Sequence, residues 1–177
     1  MNVALIGYGE VGRILGEDLR AAGQTVTAFD LKLDSAEGEA LRAHARAYAV
    51  TMAGSHAEAV RSAELVVSAV TSSQTIAAAE ACAWALPAGS FFLDFNSASP
   101  GAKFAAAGIV ARGAGRYVEG AVMTAVPPYR LKVPLLLGGP DAAALLPRLL
   151  ALGFSAKLAS ARLGVASATK MCRSVVV

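Results

Sequence analysis

The chain has 177 residues, enough for one ordinary domain, with 55% of positions from the AVILMFWYC set, 16% charged and a formal net charge of +3. Its 40 alanines account for much of the apolar excess, and Glu80 with Pro87, then Pro147 with Arg148, interrupt the most apolar stretches well short of the ~18 residues a membrane-spanning helix needs. The basic residues are scattered without a tail or aromatic interleaving, which argues against a nucleic-acid partner, and Cys82 and Cys172 show no CxxC or Cys/His spacing, which argues against a disulfide framework or a metal site.

Asn-Val-Ala-Leu-Ile-Gly directly follows Met1 with no basic leader, so a cytoplasmic protein is expected. Residues 2–6 form the first apolar run, followed by a glycine-rich turn and a helix to about Ala22, with Gly23 at its C-terminal cap. Residues 25–30 read as a second strand, and Asp34 with Glu37 resembles a capping box opening a helix over 35–47. A short third strand over 48–51 precedes Ser55 and Glu58, which repeat the capping signature before a brief helix. Strands over 64–70 and 90–95 flank a helix over 73–86 that Pro87 stops. A helix over 101–112, strands near 117–122 and 133–138, a Pro140-initiated helix to about Leu152 and a strand near 154–158 continue the alternation. Residues 163–177 read as a last helix with no terminating Gly, Asn or Pro. Such alternation predicts a doubly wound α/β fold, because parallel neighbours require crossover connections that cover both faces of the sheet.

Gly7-Tyr8-Gly9-Glu10-Val11-Gly12 matches G-x-G-x-x-G, follows a predicted strand, opens a helix and is followed by Asp30 at the end of the next strand. Together these features specify a Rossmann-type dinucleotide site. Gly7 permits the turn, Gly9 lets a pyrophosphate approach the backbone, Gly12 allows close packing, and the helix N-terminus attracts the phosphates. Asp30 is placed to accept from both ribose hydroxyls and to repel a 2′-phosphate, which favours NAD over NADP. Lys32 either neutralises a 2′-phosphate or is a solvated loop residue. Val70, Thr71 and Ser72 follow the fourth strand at the edge facing the same crevice, where Ser72 or Ser73 is equally an N-cap for the next helix.

Asp94-Phe95-Asn96-Ser97-Ala98-Ser99-Pro100 after the fifth strand, and Gly164-Val-Ala-Ser-Ala-Thr-Lys170 opening the last helix, complete a pattern that resembles the β-hydroxyacid dehydrogenases over essentially the whole chain. The resemblance implies that Lys170 is the catalytic lysine, that Asn96 and Ser97 contact a small carboxylate substrate, and that NAD or NADP is the cofactor. It also implies a dinucleotide-binding domain over 1–162, residues 163–177 as the start of an interdomain helix, and a following helical domain, absent from this chain, that closes the site and forms a homo-oligomer. Val175–Val177 and the neighbouring helix faces are accordingly expected to mediate self-association.

A lysine suits the chemistry independently of kinship. An ammonium can polarise the oxygen of a secondary alcohol and exchange its proton, provided its pKa, ordinarily about 10.4, is lowered by burial or a neighbouring cation. Arg173, on the same helix face, is the nearest such cation in sequence.

Several positions depart from the family pattern. Ser174 stands where an Asn is usual, and Val122-Met123-Thr124-Ala125 replaces a Ser-Gly-Gly loop, making the substrate side bulkier at Met123 and offering a hydroxyl at Thr124. The Lys-Met-Cys-Arg-Ser sequence at Lys170–Ser174 is similar to that of a divergent branch. His44 and His56 read as surface or packing histidines, Cys172 faces away from Lys170, and Arg130 and Lys132 either bind an anion or are solvated. Two rivals remain at this stage: a nucleotide-binding domain without turnover, and an imine reductase of similar architecture.

Overall fold

A computed structural model describes residues 1–175. The eight strands are β1 (Asn2–Ile6), β2 (Thr25–Phe29), β3 (Thr51–Met52), β4 (Leu65–Ser68), β5 (Phe91–Asp94), β6 (Arg116–Val122), β7 (Leu135–Gly138) and β8 (Ala156–Ser160). They form one sheet in the order β3-β2-β1-β4-β5-β6-β7-β8. Pairing is parallel from β3 through to β6. β7 then runs antiparallel to β6, and β8 is parallel to β7. The reversal follows from the connection: the loop between β6 and β7 carries no crossover helix, so the chain returns beside the strand it left. The doubly wound architecture is the one the sequence predicts.

The seven helices are α1 (Glu10–Ala21), α2 (Gly38–Ala47), α3 (His56–Val60), α4 (Thr75–Ala83), α5 (Pro100–Arg112), α6 (Ala142–Ala151) and α7 (Val165–Val175). One face of the sheet is packed by leucines, including Leu15 and Leu19 of α1, Leu41 of α2, and Leu145 and Leu149 of α6. The opposite face is packed largely by alanines from α3, α4 and α5, among them Ala59, Ala79, Ala83, Ala106 and Ala107, set against Val66 and Phe92. The alanine surplus thus lies mainly where helices must approach the sheet and one another closely.

Some boundaries differ from expectation. The capping box at Asp34 and Glu37 does not form. Leu31–Asp34 is a 3-10 turn, Ser35 Oγ accepts from the Glu37 N–H, and α2 starts only at Gly38. At α3, Ser55 caps the Glu58 N–H at 3.1 Å as expected, but the Glu58 carboxylate reaches back to the Gly54 N–H. β3 is only two residues long, because Ala49, at a φ of 54°, closes the end of α2 and delays re-extension of the chain.

Because the strand order turns outward in both directions from β1 and β4, their carboxyl ends open a crevice between them. Register aligns Ile6, Ser68, Asp94, Glu119 and Gly138 in one row across this edge, which brings three polar side chains into adjacent strands.

Candidate functional site

The glycine loop connects β1 to α1. Gly7 sits at φ +92°, where a Cβ would collide with the Ala69 carbonyl oxygen, and a Cβ on Gly12 would collide with the Gly7 carbonyl oxygen. Gly12 therefore packs against the turn itself rather than against a strand. Gly9 has nothing within 4 Å of where its Cβ would stand, and α1 begins there without a side-chain cap. The first N–H groups of the helix consequently border an open space whose positive dipole end suits a diphosphate. Glu10 is exposed in the first turn of α1, while Val11 lines the adjoining cavity.

Asp30 terminates β2 with both carboxylate oxygens held by backbone donors, Tyr8 N–H at 2.6 Å and Lys32 N–H at 2.9 Å. Its carboxylate is thus fixed beside the glycine loop, and its remaining lone pairs suit two ribose hydroxyls. Lys32 Nζ pairs with Glu37 at 2.9 Å, so its charge is already engaged. Tyr8 contributes its backbone to this region, but its side chain is buried. The phenol meets His44 Nδ1 at 3.1 Å, and its pKa is pushed up to about 12, first by burial and then by the charge of Glu17.

Two cavities share a wall. One, of about 450 Å³, runs from Val11 past Val70, Thr71 and Ser72 to the loop at Thr124–Val126. The other, of about 420 Å³, is bounded by Ala98, Gly120, Ala121, Ser167 and Met171. Asn96, Ser97 and Lys170 line both. Lys170 Nζ donates to Ser97 Oγ at 2.7 Å, and its pKa is lowered, first by burial and then by the positive charge of Lys103. Lys103 is thus a cation that acts on Lys170, and Arg173 is exposed.

Residues 2–96 match the family model described as NADP oxidoreductase, coenzyme F420-dependent. The chain belongs to this family. A conserved hypothetical protein from Sinorhizobium meliloti is 38% identical over 99% of this chain and 59% of its own, with a TM-score of 0.94. The 3-hydroxyisobutyrate dehydrogenase of Mycobacterium tuberculosis, solved with L-serine, aligns over 99% of this chain and 59% of its own at 19% identity and a TM-score of 0.87. An imine reductase from Myxococcus stipitatus in complex with NADP+ covers 99% of this chain and 61% of its own at 20% identity, with a TM-score of 0.82. The chain thus spans about three-fifths of the length of these structures, and the last two establish the fold. No curated protein matches it.

Within this oxidoreductase fold the other expected residues have distinct placements. The Asn96 side chain is buried. Its Oδ1 accepts from Val70 N–H at 2.7 Å and its Nδ2 donates to Ser68 Oγ at 3.0 Å, so the amide ties the ends of β4 and β5 together. Met123 lines neither cavity, and its N–H is bound to the Pro134 carbonyl, whereas Thr124 lines the cavity that begins at Val11. Neither Ser72 nor Ser73 caps a helix: Thr71 stands at the N-cap of the 3-10 turn Ser72–Gln74 and Gln74 at that of α4, both without a side-chain cap. The side chains of Ser174 and Val175, and residues 176–177 of the segment expected to self-associate, lie outside what the structure describes.

The chain also carries a buried polar cluster that its sequence did not reveal. Lys103 of α5 reaches Asp94 Oδ1 at 2.8 Å, with the two side chains 1% and 0% exposed. Tyr117 donates to Asp94 Oδ2 at 2.6 Å, and Glu119 accepts from the Gly164 and Ser167 N–H groups at 2.7 Å each, capping the N-terminus of α7. The available signals were a single lysine in an Ala-rich helix and a glutamate inside an apolar strand.

Arg130 is partly exposed, but its charge is committed to two carboxylates of α1. It grips Glu17 Oε2 and Asp18 Oδ1, each at 2.7 Å, and clasps the β6–β7 loop to α1. His56 packs on Phe29 and is a packing histidine as expected, and burial lowers its pKa. Cys82 is buried, which pushes its thiol up to about 12, while Cys172 is exposed.

Proposed function

We propose that this chain is the dinucleotide-binding part of an NAD(P)-dependent oxidoreductase of the β-hydroxyacid dehydrogenase type, acting on a small hydroxy-carboxylate with Lys170 as general acid and base. The observation that carries the reading is the position of Lys170 on the wall between the two cavities, hydrogen-bonded to Ser97 at 2.7 Å. A bound nicotinamide dinucleotide would supply or accept the hydride. Lys170, with its pKa lowered, is suited to take the proton of an alcohol or return it to a carbonyl oxygen, and Ser97 holds the ammonium at the wall and relays a hydrogen bond. The family match ends at residue 96, so it supports the dinucleotide half of the site, and the Lys170 role rests on geometry and the lysine motif.

Asp30 favours NAD over NADP in this reading. Residues 1–162 form the dinucleotide domain and α7 leads toward a helical domain that completes the substrate side and pairs two copies. Among the described residues no helix is long and apolar enough to cross a membrane.

The test is Lys170→Ala in the full-length protein, assayed with a panel of 3-hydroxy acids and cyclic imines while dinucleotide affinity is followed by fluorescence. Turnover of hydroxy acids is expected to fall by about 10²–10⁴-fold with dinucleotide affinity unchanged. Normal turnover in the variant removes Lys170 from the mechanism, and turnover of imines alone assigns the site to the other chemistry.

A further inference from the structure

A lysine buried to the last ångström in a helix of alanines calls for an explanation. Lys103 Nζ is satisfied from three directions: Asp94 Oδ1 at 2.8 Å, the Asp94 carbonyl at 2.9 Å and the Gly120 carbonyl at 3.2 Å. Its seat lies behind the wall of one of the two cavities that Lys170 lines, since Gly120, whose carbonyl it holds, and Asn96, two residues after Asp94, both line that cavity. From Asp94 the connection continues upward. Asp94 Oδ1 accepts from the Asn96 N–H at 3.0 Å, Asn96 holds Val70 and Ser68, and the next residue, Ser97, receives the Lys170 hydrogen bond.

We propose that Lys103 is a positioning residue for Lys170: its buried ammonium locks the ends of β5 and β6 beneath the Asn96–Ser97 turn and presents a fixed positive charge to Lys170 from below. The catalytic consequence rests on Lys170 exchanging the proton, as proposed above, whereas the positioning itself does not.

Apolar residues in place of both Lys103 and Asp94 would fill the space with no buried charge to compensate, and replacing a buried ion pair by apolar side chains is often neutral for stability. Packing alone therefore does not call for a lysine here. The titratable groups around it are Asp94 from β5, the neutral phenol of Tyr117 and Glu119 from β6, and Lys170 from α7. Asp94 and Glu119 favour the Lys103 ammonium, and burial opposes it as the leading effect. The Lys103 charge in turn disfavours a second ammonium on Lys170, adding to the effect of burial. The same side chain thus fixes the place of Ser97 and loosens the proton on Lys170.

The experiment reads the two lysines separately, by amine-reactive competition labelling of the purified protein across a pH series with mass-spectrometric quantitation. Wild-type Lys103 is expected to label far more slowly than Lys170. In Lys103→Met, Lys170 labelling near neutral pH should fall several-fold and the pH of half-maximal labelling should rise, while Lys103→Arg, which keeps the charge, restores both. Because the single change leaves the Asp94 carboxylate unpaired, the pair Lys103→Met with Asp94→Asn is measured beside it, and a cooperative melt identifies the folded variants. Unchanged Lys170 labelling in a folded variant overturns the proposal, as does a wild-type Lys103 that labels as fast as Lys170. Failure of the functional reading has a different signature: Lys170→Ala turns over normally while the labelling contrast persists.

Discussion

Gly9 and Gly12 belong to one motif and do opposite jobs. A methyl group at Gly12 has nowhere to go, since the Gly7 carbonyl already occupies its place, whereas a methyl at Gly9 would project into open space. Gly9 also has a φ of −71°, which any residue can adopt. Gly12→Ala is therefore expected to lower stability by about 1–3 kcal/mol through overpacking, measured by urea unfolding. Gly9→Ala should leave stability within about 0.5 kcal/mol of wild type. The same Gly9→Ala should weaken dinucleotide binding by roughly tenfold or more, because the added group stands where the pyrophosphate meets the backbone. Equal stability losses in both variants would mean that Gly9 is structural and that its open side is not a phosphate site.

At the scale of elements, the cavity lined by Val11 and Val70–Ser72 has one wall on α1 and another on the β6–β7 loop, and Arg130 joins them through Glu17 and Asp18. The pairs are partly exposed, so the clasp contributes about 1 kcal/mol or less to stability, but it fixes the loop that carries Thr124. Burial alone would raise the Glu17 pKa, and the hydrogen bonds from Arg130 and then His44 outweigh it, so the carboxyl titrates below its ordinary 4.5. A lowered carboxylate pKa stabilises the fold above the unfolded value and loses that contribution as pH falls through the folded one. Arg130→Gln should accordingly be less stable than wild type at neutral pH, with the gap closing below about pH 4.5, and should bind dinucleotide more weakly. A constant gap across the acid range would exclude Glu17 as the clasp's titrating partner. None of this was legible in the chain. Proline and charge content marked residues 127–132 as a loop, but Glu17 and Arg130 are joined only by the packing of α1 against a segment 113 residues away. The strands and the Gly23 cap, which depend on local periodicity and backbone conformation, were legible. The capping box at Asp34 was not realised because Lys32 and Ser35 offered Glu37 competing partners.

Over the whole molecule, the split at β1 and β4 places the glycine loop and the Val70–Ser72 turn on opposite lips of one crevice, with Asp30 at its far end. The sequence revealed that crevice because its marks are contiguous motifs. The polar row of Ser68, Asp94 and Glu119 stayed hidden because it exists only in strand register, and Lys103 reaches it from a helix on the alanine-packed face. A ligand spanning both lips binds only the folded sheet, so it must raise the melting temperature of the whole domain by mass action. At a hundredfold excess over Kd the gain is about 2.7 kcal/mol, or roughly 5–10 °C for a chain of this size. NADH should reach that shift at lower concentration than NADPH, because the fixed Asp30 carboxylate accepts ribose hydroxyls and repels a 2′-phosphate, while Lys32 is already held by Glu37. Asp30→Ser should narrow the difference between the two cofactors, and Lys32→Ala should leave it nearly unchanged. If NADPH instead stabilises the wild type more than NADH, and Lys32→Ala abolishes that advantage, Lys32 must leave Glu37 to meet the phosphate and the preference argued from Asp30 is reversed.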